Sequence, residues 1–419
     1  MPFTSLGLAP SLAQAAAELG FSAPTPIQTA SVPIVLNGAD LLATAQTGSG
    51  KTAAFALPLL QRWLSKPPTT GARALQTLVL VPTRELAAQV GEVLRSLAQP
   101  LTQRPKIVVA FGGVSINPQM MSLRGGADIV VATPGRLLDL IDSNALKLNS
   151  VQQLVLDEAD RLLDLGFAEE LGRILTQLPK ERQTLFFSAT FAPAVEALAH
   201  RMLRDPQRVD VPIVASDAAV IEQRVFEVDD KRRTQLLRHL IKDHGWERVL
   251  VFVASQYAAE HLAAKLHKGD VFATSFHGGL SQGARKQTLQ EFKEKRWDVL
   301  VTTDLAARGI HIDQLPVVVN FDLPRSADDY THRIGRTGRA GESGLAISFV
   351  TAASAAHWRV IEKRQGLSLP REHMLGFEPT EEAPAVVHDP EGTGGIKGKR
   401  PSKKDKLRAA VAAAQKTDH

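Results

Sequence analysis

Between residues 41 and 209 the chain alternates short apolar runs with amphipathic segments. The runs DLLATA (40–45), LQTLVLV (75–81), KIVVAF (106–111), ADIVVAT (127–133), LVL (154–156) and TLFFSA (184–189) predict strands. Helical periodicity lies between them, as in ELAAQVGEVLRSLA (85–98) and FAEELGRILTQL (167–178). Nearly continuous apolar strands separated by helices imply a parallel sheet covered on both faces. The pattern falters over RDPQRVDVPIVASDAAVIEQ (204–223), which reads as a linker. It resumes with RVLVFVAS (248–255), DVFATSF (270–276), WDVLVTT (297–303), VVVNFD (317–322) and LAISFV (345–350), a second α/β domain of similar size. No short-period repeat is visible. The predicted division is an N-terminal region 1–30, a first domain 31–205, a linker 206–222, a second domain 223–370 and a tail 371–419.

The tail has a charge pattern of its own. Residues 372–391 contain six acidic residues and no Lys or Arg, whereas GTGGIKGKRPSKKDKLR (392–408) carries seven basic residues and one acidic one. Such segregation predicts disorder. At 419 residues and 44% hydrophobic, the chain has apolar material for more than one core. It has no run of about eighteen apolar residues, so a membrane span is not expected. MPFTSLGLAPSL lacks the basic start and apolar core of a signal peptide. The lack of cysteine excludes disulfides, thiolate metal sites and thiol nucleophiles. A soluble cytoplasmic protein is the expectation. A net charge of +5 and a pI near 9.4 suit a polyanionic partner. Aromatics at 5% favour a grip on phosphates and sugars over base stacking.

Two segments carry chemistry. AQTGSGKT (45–52) follows an apolar strand and opens a helix at Lys51. Gly48 and Gly50 allow backbone N–H groups close to a phosphate at the positive helix end, with Gln46, Thr47 and Ser49 completing the loop. Lys51 then reaches the β- and γ-phosphates, and the Thr52 hydroxyl ligates Mg²⁺. The general pattern begins with Gly, where this chain has Ala45. VLDEADRLLD (155–164) sets Asp157, Glu158 and Asp160 within four residues at the end of a buried strand. Such crowding is costly unless a cation or donor compensates. In a parallel sheet, residues just past a strand's C-terminal end share the crevice with the phosphate loop. Asp157 is then placed to hold Mg²⁺, and Glu158 to orient or deprotonate an attacking water. The expected compensating cation is Mg²⁺, arriving with a nucleotide.

Asp-Glu-Ala-Asp at 157–160 together with AQTGSGKT resembles the DEAD-box family of ATP-dependent RNA helicases, a likeness running over residues 3–350. GFSAPTPIQ (20–28) resembles the family's adenine-sensing Q motif, which makes residues 1–30 the Q-motif region. By that resemblance Gln28 reads the adenine edge, its amide offering a donor and an acceptor. Phe21 belongs to the same motif, and Phe3 stands 17 residues before Gly20, where the family keeps an isolated aromatic. PTRELA (82–87), the Gly112–Gly113 pair and TPGR (133–136) resemble RNA-backbone contacts, implying Pro82, Thr83, Arg84, Thr133, Pro134, Gly135 and Arg136. SAT (188–190) resembles the motif coupling hydrolysis to strand separation, the hydroxyls of Ser188 and Thr190 linking to the acidic motif at Asp160. VFVAS (251–255), HGGLSQGAR (277–285) and TTDLAARG (302–309) continue the match in the second domain. They imply RNA contacts at Gly278, Gln282, Arg285 and Thr303, and coupling roles for Asp304 and Arg308. HRIGRTGR (332–339) closes it, with Arg336 and Arg339 as arginine fingers and His332 bridging to the other motifs. Forked, always-charged guanidiniums suit a γ-phosphate presented by another domain. One position departs from the family: His311 stands where an Asp contacts the ATP ribose, with Asp313 two residues on. Neutral imidazole still accepts a hydroxyl's hydrogen bond, although its charge changes near neutral pH.

The resemblance implies an α/β fold of two tandem RecA-like domains, each a parallel sheet flanked by helices, plus a disordered acidic-then-basic tail. ATP and Mg²⁺ are the expected cofactors. Single-stranded or short duplex RNA is the expected partner, read with little sequence specificity. The string VLDEADRLLDLGF, the compact body and the short basic tail look most like the bacterial RhlE-type group. That group suggests ribosome precursors or a ribonuclease complex, the tail being solubilising or a loosely specific RNA-binding arm. Two rival classes are a passive RNA-binding or annealing protein and a P-loop ATPase unrelated to RNA. Intact Lys51, Glu158, Arg336 and Arg339 speak against the first, and PTRELA, TPGR and QGAR against the second; a DNA helicase is a closer variant. His261 and His267 lie six apart, off one helical face, so zinc is not expected.

Overall fold

The computed structural model describes residues 2–45, 48–65, 73–211, 221–307, 315–338 and 343–381. One sheet holds Leu41–Thr44 (β1), Thr77–Leu80 (β2), Ile107–Ala110 (β3), Ile129–Ala132 (β4), Gln153–Leu156 (β5), Gln183–Ser188 (β6) and Gln207–Asp210 (β7). A second holds Ile221–Glu227 (β8), Val249–Phe252 (β9), Ala273–Phe276 (β10), Val299–Thr302 (β11), Val317–Asn320 (β12), Gly344–Val350 (β13) and Arg371–Glu372 (β14). The strand orders are β3-β4-β2-β5-β6-β1-β7 and β10-β11-β9-β12-β13-β8-β14, and every pairing is parallel.

Every residue of β2, β4, β5 and β6 is buried. Alternate side chains divide between two cores. Val79, Val131, Val155 and Phe187 face one helical layer, and Leu80, Val130, Leu154 and Phe186 face the other. Period-two alternation combined with burial on both sides is why these strands read as unbroken apolar runs. The order places β6 between β5 and β1, so the segments after β1, β5 and β6 emerge side by side. These are the phosphate loop, the acidic motif and Ser188–Thr190.

Two boundaries change. The linker expected at 206–222 gives up residues 207–210 to β7 and residues 221–222 to β8. β7 escapes the apolar pattern because it is an edge strand with only Val209 buried. The tail expected from residue 371 begins with order instead. Arg371 and Glu372 pair with β8, Met374 and Phe377 pack on the second core, and Asp229 accepts from the backbone N–H groups of Thr380 and Glu381. The acidic composition misled because the domain supplies the cations: Arg224 binds Glu372 at 2.6 Å. Residues 382–419 lie outside the described residues. Among the described residues no helix is long and apolar enough to cross a membrane.

Candidate active site and nucleic-acid interface

The phosphate loop is shaped by backbone that only glycine adopts freely. Gly48 and Gly50 have φ values of 85° and 93°, and Gly50 immediately precedes the helix Lys51–Leu64. Lys51 is buried, and its Nζ donates to the Ala45 carbonyl at 2.9 Å. Ala45 therefore acts through its backbone, which is why it serves where the general pattern has Gly. Thr52 is half-buried in the first turn of that helix. Gln28 turns onto the loop. Its Oε1 accepts from Thr25 N at 3.0 Å, and its Nε2 donates to the Gly50 carbonyl at 3.1 Å. A Cβ on Gly50 would run into that amide. Phe3 is a core residue, 4% exposed, and Phe21 is half-buried against the same cluster. The expected nucleotide contact at Phe3 gives way to hydrophobic burial.

At the acidic motif, Asp157, Glu158 and Asp160 are all buried. Burial pushes the Asp157 carboxyl up to about 6, with Lys51 opposing it and Glu158 adding to it. Glu158 sits at φ 53° and ψ 52°, a left-handed conformation costing a non-glycine residue about 1–2 kcal/mol. Its Oε2 accepts from Arg161 Nη1 at 3.0 Å. Asp160 Oδ2 accepts from the N–H groups of Ala189 and Thr190 at 3.3 and 3.2 Å, and from Thr190 Oγ1 at 3.2 Å. Ser188 departs from its expected link, because its hydroxyl donates to the Thr190 carbonyl at 2.7 Å. The crowded carboxylates are thus answered first by the protein itself, through Lys51, Arg161 and the donors of residues 189–190.

A magnesium nucleoside triphosphate fits this donor set. The positive helix end, the glycine backbone and Lys51 face phosphate chemistry, and the raised Asp157 pKa marks a carboxylate still short of positive charge. That shortfall is testable without ligand. Asp157 is held above its unfolded value, so its contribution to stability is complete below pH 3.8 and is lost as pH rises through about 6. Asp157→Asn is expected to stabilise the ligand-free protein at pH 8 by about 3 kcal/mol, a gain that vanishes near pH 4. Calorimetry at the two pH values checks it; identical melting at pH 8 contradicts it.

The second domain closes the cleft. Asp304, Asp329, His332, Arg333 and Arg336 line a cavity together with Arg161 of the first domain. Burial and the charge of Arg161 hold His332 below its ordinary value, with Asp160 pulling the other way, so it is neutral at physiological pH. Arg333, which sequence reasoning passed over, grips Asp304 with Nε and Nη2 at 2.6 and 2.7 Å. Its Nη1 donates to Asn320 Oδ1 at 3.1 Å and to the Asp322 carbonyl at 2.6 Å. Gln46, Thr47, Arg308, His311, Asp313 and Arg339 lie outside the described residues.

The expected RNA contacts divide into two groups. Gly112 and Gly135 have open space where a side chain would stand. Arg84 is half-buried against Gly113, whose φ is 78°. Gly278 lies beside Gln256, Thr303 is half-buried before the helix Asp304–Ala307, and Gln282 Oε1 is buried without a hydrogen-bond partner. Others face inward. Pro82, Thr133 and Pro134 are buried, and Thr83 Oγ1 accepts from Leu86 N at the start of the helix Arg84–Ala98. Arg136 is buried, donating to the Val114 carbonyl at 2.8 Å, so it braces the glycine loop instead of reaching outward. Arg285 is buried too: its Nε donates to Glu85 Oε1 of the first domain at 2.7 Å and its Nη1 to the His277 carbonyl at 2.8 Å. Both placements share one cause, since a guanidinium with five donors serves a carbonyl or a carboxylate as readily as a phosphate.

A family profile for DEAD/DEAH box helicases matches residues 25–198, and one for the helicase conserved C-terminal domain matches residues 232–341. The DEAD-box ATP-dependent RNA helicase CshA of Bacillus cereus is 40% identical over 361 residues, 86% of this chain and 67% of that protein. The chain belongs to the DEAD-box RNA helicases. It is accordingly an enzyme, an ATP-dependent RNA helicase, with the tandem RecA-like fold of that family. A second relative, the ATP-dependent rRNA helicase rrp3 of Sclerotinia sclerotiorum, is 40% identical over 418 residues, 96% of this chain and 85% of that one. Among solved structures, S. cerevisiae Dbp5 bound to RNA and ADP BeF3 superposes with a TM-score of 0.77 at 31% identity, covering 88% of this chain and 95% of that one.

Proposed function

We propose that this DEAD-box helicase hydrolyses ATP in the cleft between its two domains, only when RNA holds them closed, and uses that cycle to open short structured RNA. The observation that carries the reading is the shared cavity, which Arg336 and His332 of the second domain line together with Arg161 of the first, His332 lying within electrostatic reach of Asp160. Likeness to the RNA- and nucleotide-bound Dbp5 supports it. Asp157 and Thr52 would hold Mg²⁺, which supplies charge neutralisation at the phosphates when bound. Lys51 exchanges the Ala45 carbonyl for phosphate oxygens. Glu158 takes the proton of the attacking water, and Arg336, with Arg339 of the same segment, meets the developing charge. Thr190 on Asp160 ties the acidic motif to the movement of the strand. RNA runs past Arg84, Gly112, Gly113 and Gly135 onto Gly278, Gln282 and Thr303. The ATP-binding domain extends to about residue 210 and the second domain from 221 to at least 381.

Assignment to the RhlE-type group rests on VLDEADRLLDLGF and the compact body. Ribosomal RNA is the substrate class that the name of rrp3 supports. A ribonuclease complex follows from the RhlE-type likeness, and the cytoplasm suits a cysteine-free chain.

The test is steady-state ATP hydrolysis with no nucleic acid, with single-stranded RNA, and with DNA of the same sequence. RNA is expected to stimulate turnover at least about tenfold, and DNA far less. Equal turnover in all three would support an ATPase unrelated to RNA. RNA binding without turnover would support the passive binder.

A further inference from the structure

Of the three crowded carboxylates, Glu158 is the one held by a direct ion pair, and that pair engages a single oxygen. Asp157 has Lys51 nearby, and Asp160 receives three hydrogen bonds from residues 189–190. Glu158 is presented on left-handed backbone and anchored through one oxygen only, Oε2 on Arg161. Among the described residues its Oε1 takes no hydrogen bond. The side chains of Arg161 and Glu158 are 5% and 10% exposed, so the pair is shielded from water and weakly screened. Arg161 also lines the cavity shared with Asp304, Asp329, His332, Arg333 and Arg336.

We propose that Arg161 is a positioning residue for hydrolysis, fixing one oxygen of Glu158 so that the other points at the attacking water, while Arg161 itself borders the cavity lined by the second domain. A glutamate has three side-chain torsions, and losing its anchor would let the carboxylate leave the near-attack geometry. Position 161 thereby links domain closure to the aim of the base. This rests on reading Glu158 as the base, so that reading needs its own control.

Arg161→Met, Arg161→Lys, Glu158→Gln and the double variant Arg161→Met with Glu158→Gln form the test. ATP and RNA binding are read separately by fluorescence titration with a non-hydrolysable ATP analogue. Arg161→Met is expected to lower kcat by about 10- to 100-fold, with KM for ATP and half-saturation by RNA within about twofold of the parent. Arg161→Lys should recover part of kcat. In the double variant the Met substitution should have no further effect, because there is no base left to aim. An unchanged kcat overturns the proposal. So does a raised kcat, which would make Arg161 a restraint on the base. A loss confined to RNA half-saturation also overturns it, as a contact for closure alone. If the Met variant does not fold, the kcat-against-KM split of the Lys variant decides. A Glu158→Gln variant with parental kcat would remove the base reading itself, separately from any effect of Arg161.

Discussion

Glu158→Gln is expected to lose about 10²- to 10⁴-fold in RNA-stimulated ATP turnover while still binding ATP and RNA. The amide keeps the size of the carboxylate and an oxygen for Arg161, but it cannot take a proton from water. The substitution relieves the crowding of three carboxylates buried within four residues but leaves the buried Arg161 guanidinium without its anionic partner, so thermal melting is followed alongside turnover. The loss should therefore fall on kcat, with KM for ATP and half-saturation by RNA near the parental values. Steady-state hydrolysis gives the first pair of quantities, and fluorescence titration with a non-hydrolysable analogue gives binding independently. A loss below about tenfold would move the proton-accepting role elsewhere, since general bases contribute at least about 10²-fold. A large loss in binding instead would show that the charge of Glu158 serves the ground state.

The central strands were legible because burial on both faces writes them as apolar runs, and the phosphate loop because its glycines and lysine are irreplaceable. β7, β8 and β14 were harder: they lie at or next to one edge, carry charged residues and blend into a linker and a tail. At the site, sequence named the right neighbourhood and not the partners within the protein. Gln28, expected on adenine, also bonds Gly50, and Arg136, expected on RNA, also bonds Val114. Spacing along a chain says which residues meet at a strand end, but the rotamer that selects a partner depends on tertiary packing. Arg161 had a signal that could have been used, being three residues after Glu158 and hence on the same face of one helical turn. Arg333 had none, because Asp304 and Asn320 reach it from distant segments.

Arg285→Glu is expected to cripple RNA-stimulated hydrolysis, and Glu85→Arg added to it is expected to restore a substantial part. Arg285 and Glu85 meet across the two domains at 2.7 Å with side chains 5% and 12% exposed. Removing one partner of a buried pair costs about 3–5 kcal/mol, because the other charge is left uncompensated. The part of that cost owed to Glu85 exists only where the domains touch, so it lowers the closed population by about 10²- to 10⁴-fold and raises the RNA needed for half-maximal turnover. The exchanged pair brings back opposite charges at the same place. Its recovery stays partial, since a glutamate at 285 cannot donate to the His277 carbonyl and cannot lie over Phe276 as the guanidinium does at 4.3 Å. Domain distance measured by single-molecule fluorescence, with RNA and a non-hydrolysable ATP analogue, should follow the same order as turnover. Glu85→Arg alone is the decisive arm. If Arg285 works through Glu85, both single variants fail, Arg285→Glu the more because it also loses His277 and Phe276, and the pair partly rescues both. If Arg285 instead grips RNA, the two losses add without rescue, and the contact expected from its motif displaces the bridge. Because Glu85 directly follows Arg84, a bridge that survives this test would tie RNA contact in the first domain to the approach of the second.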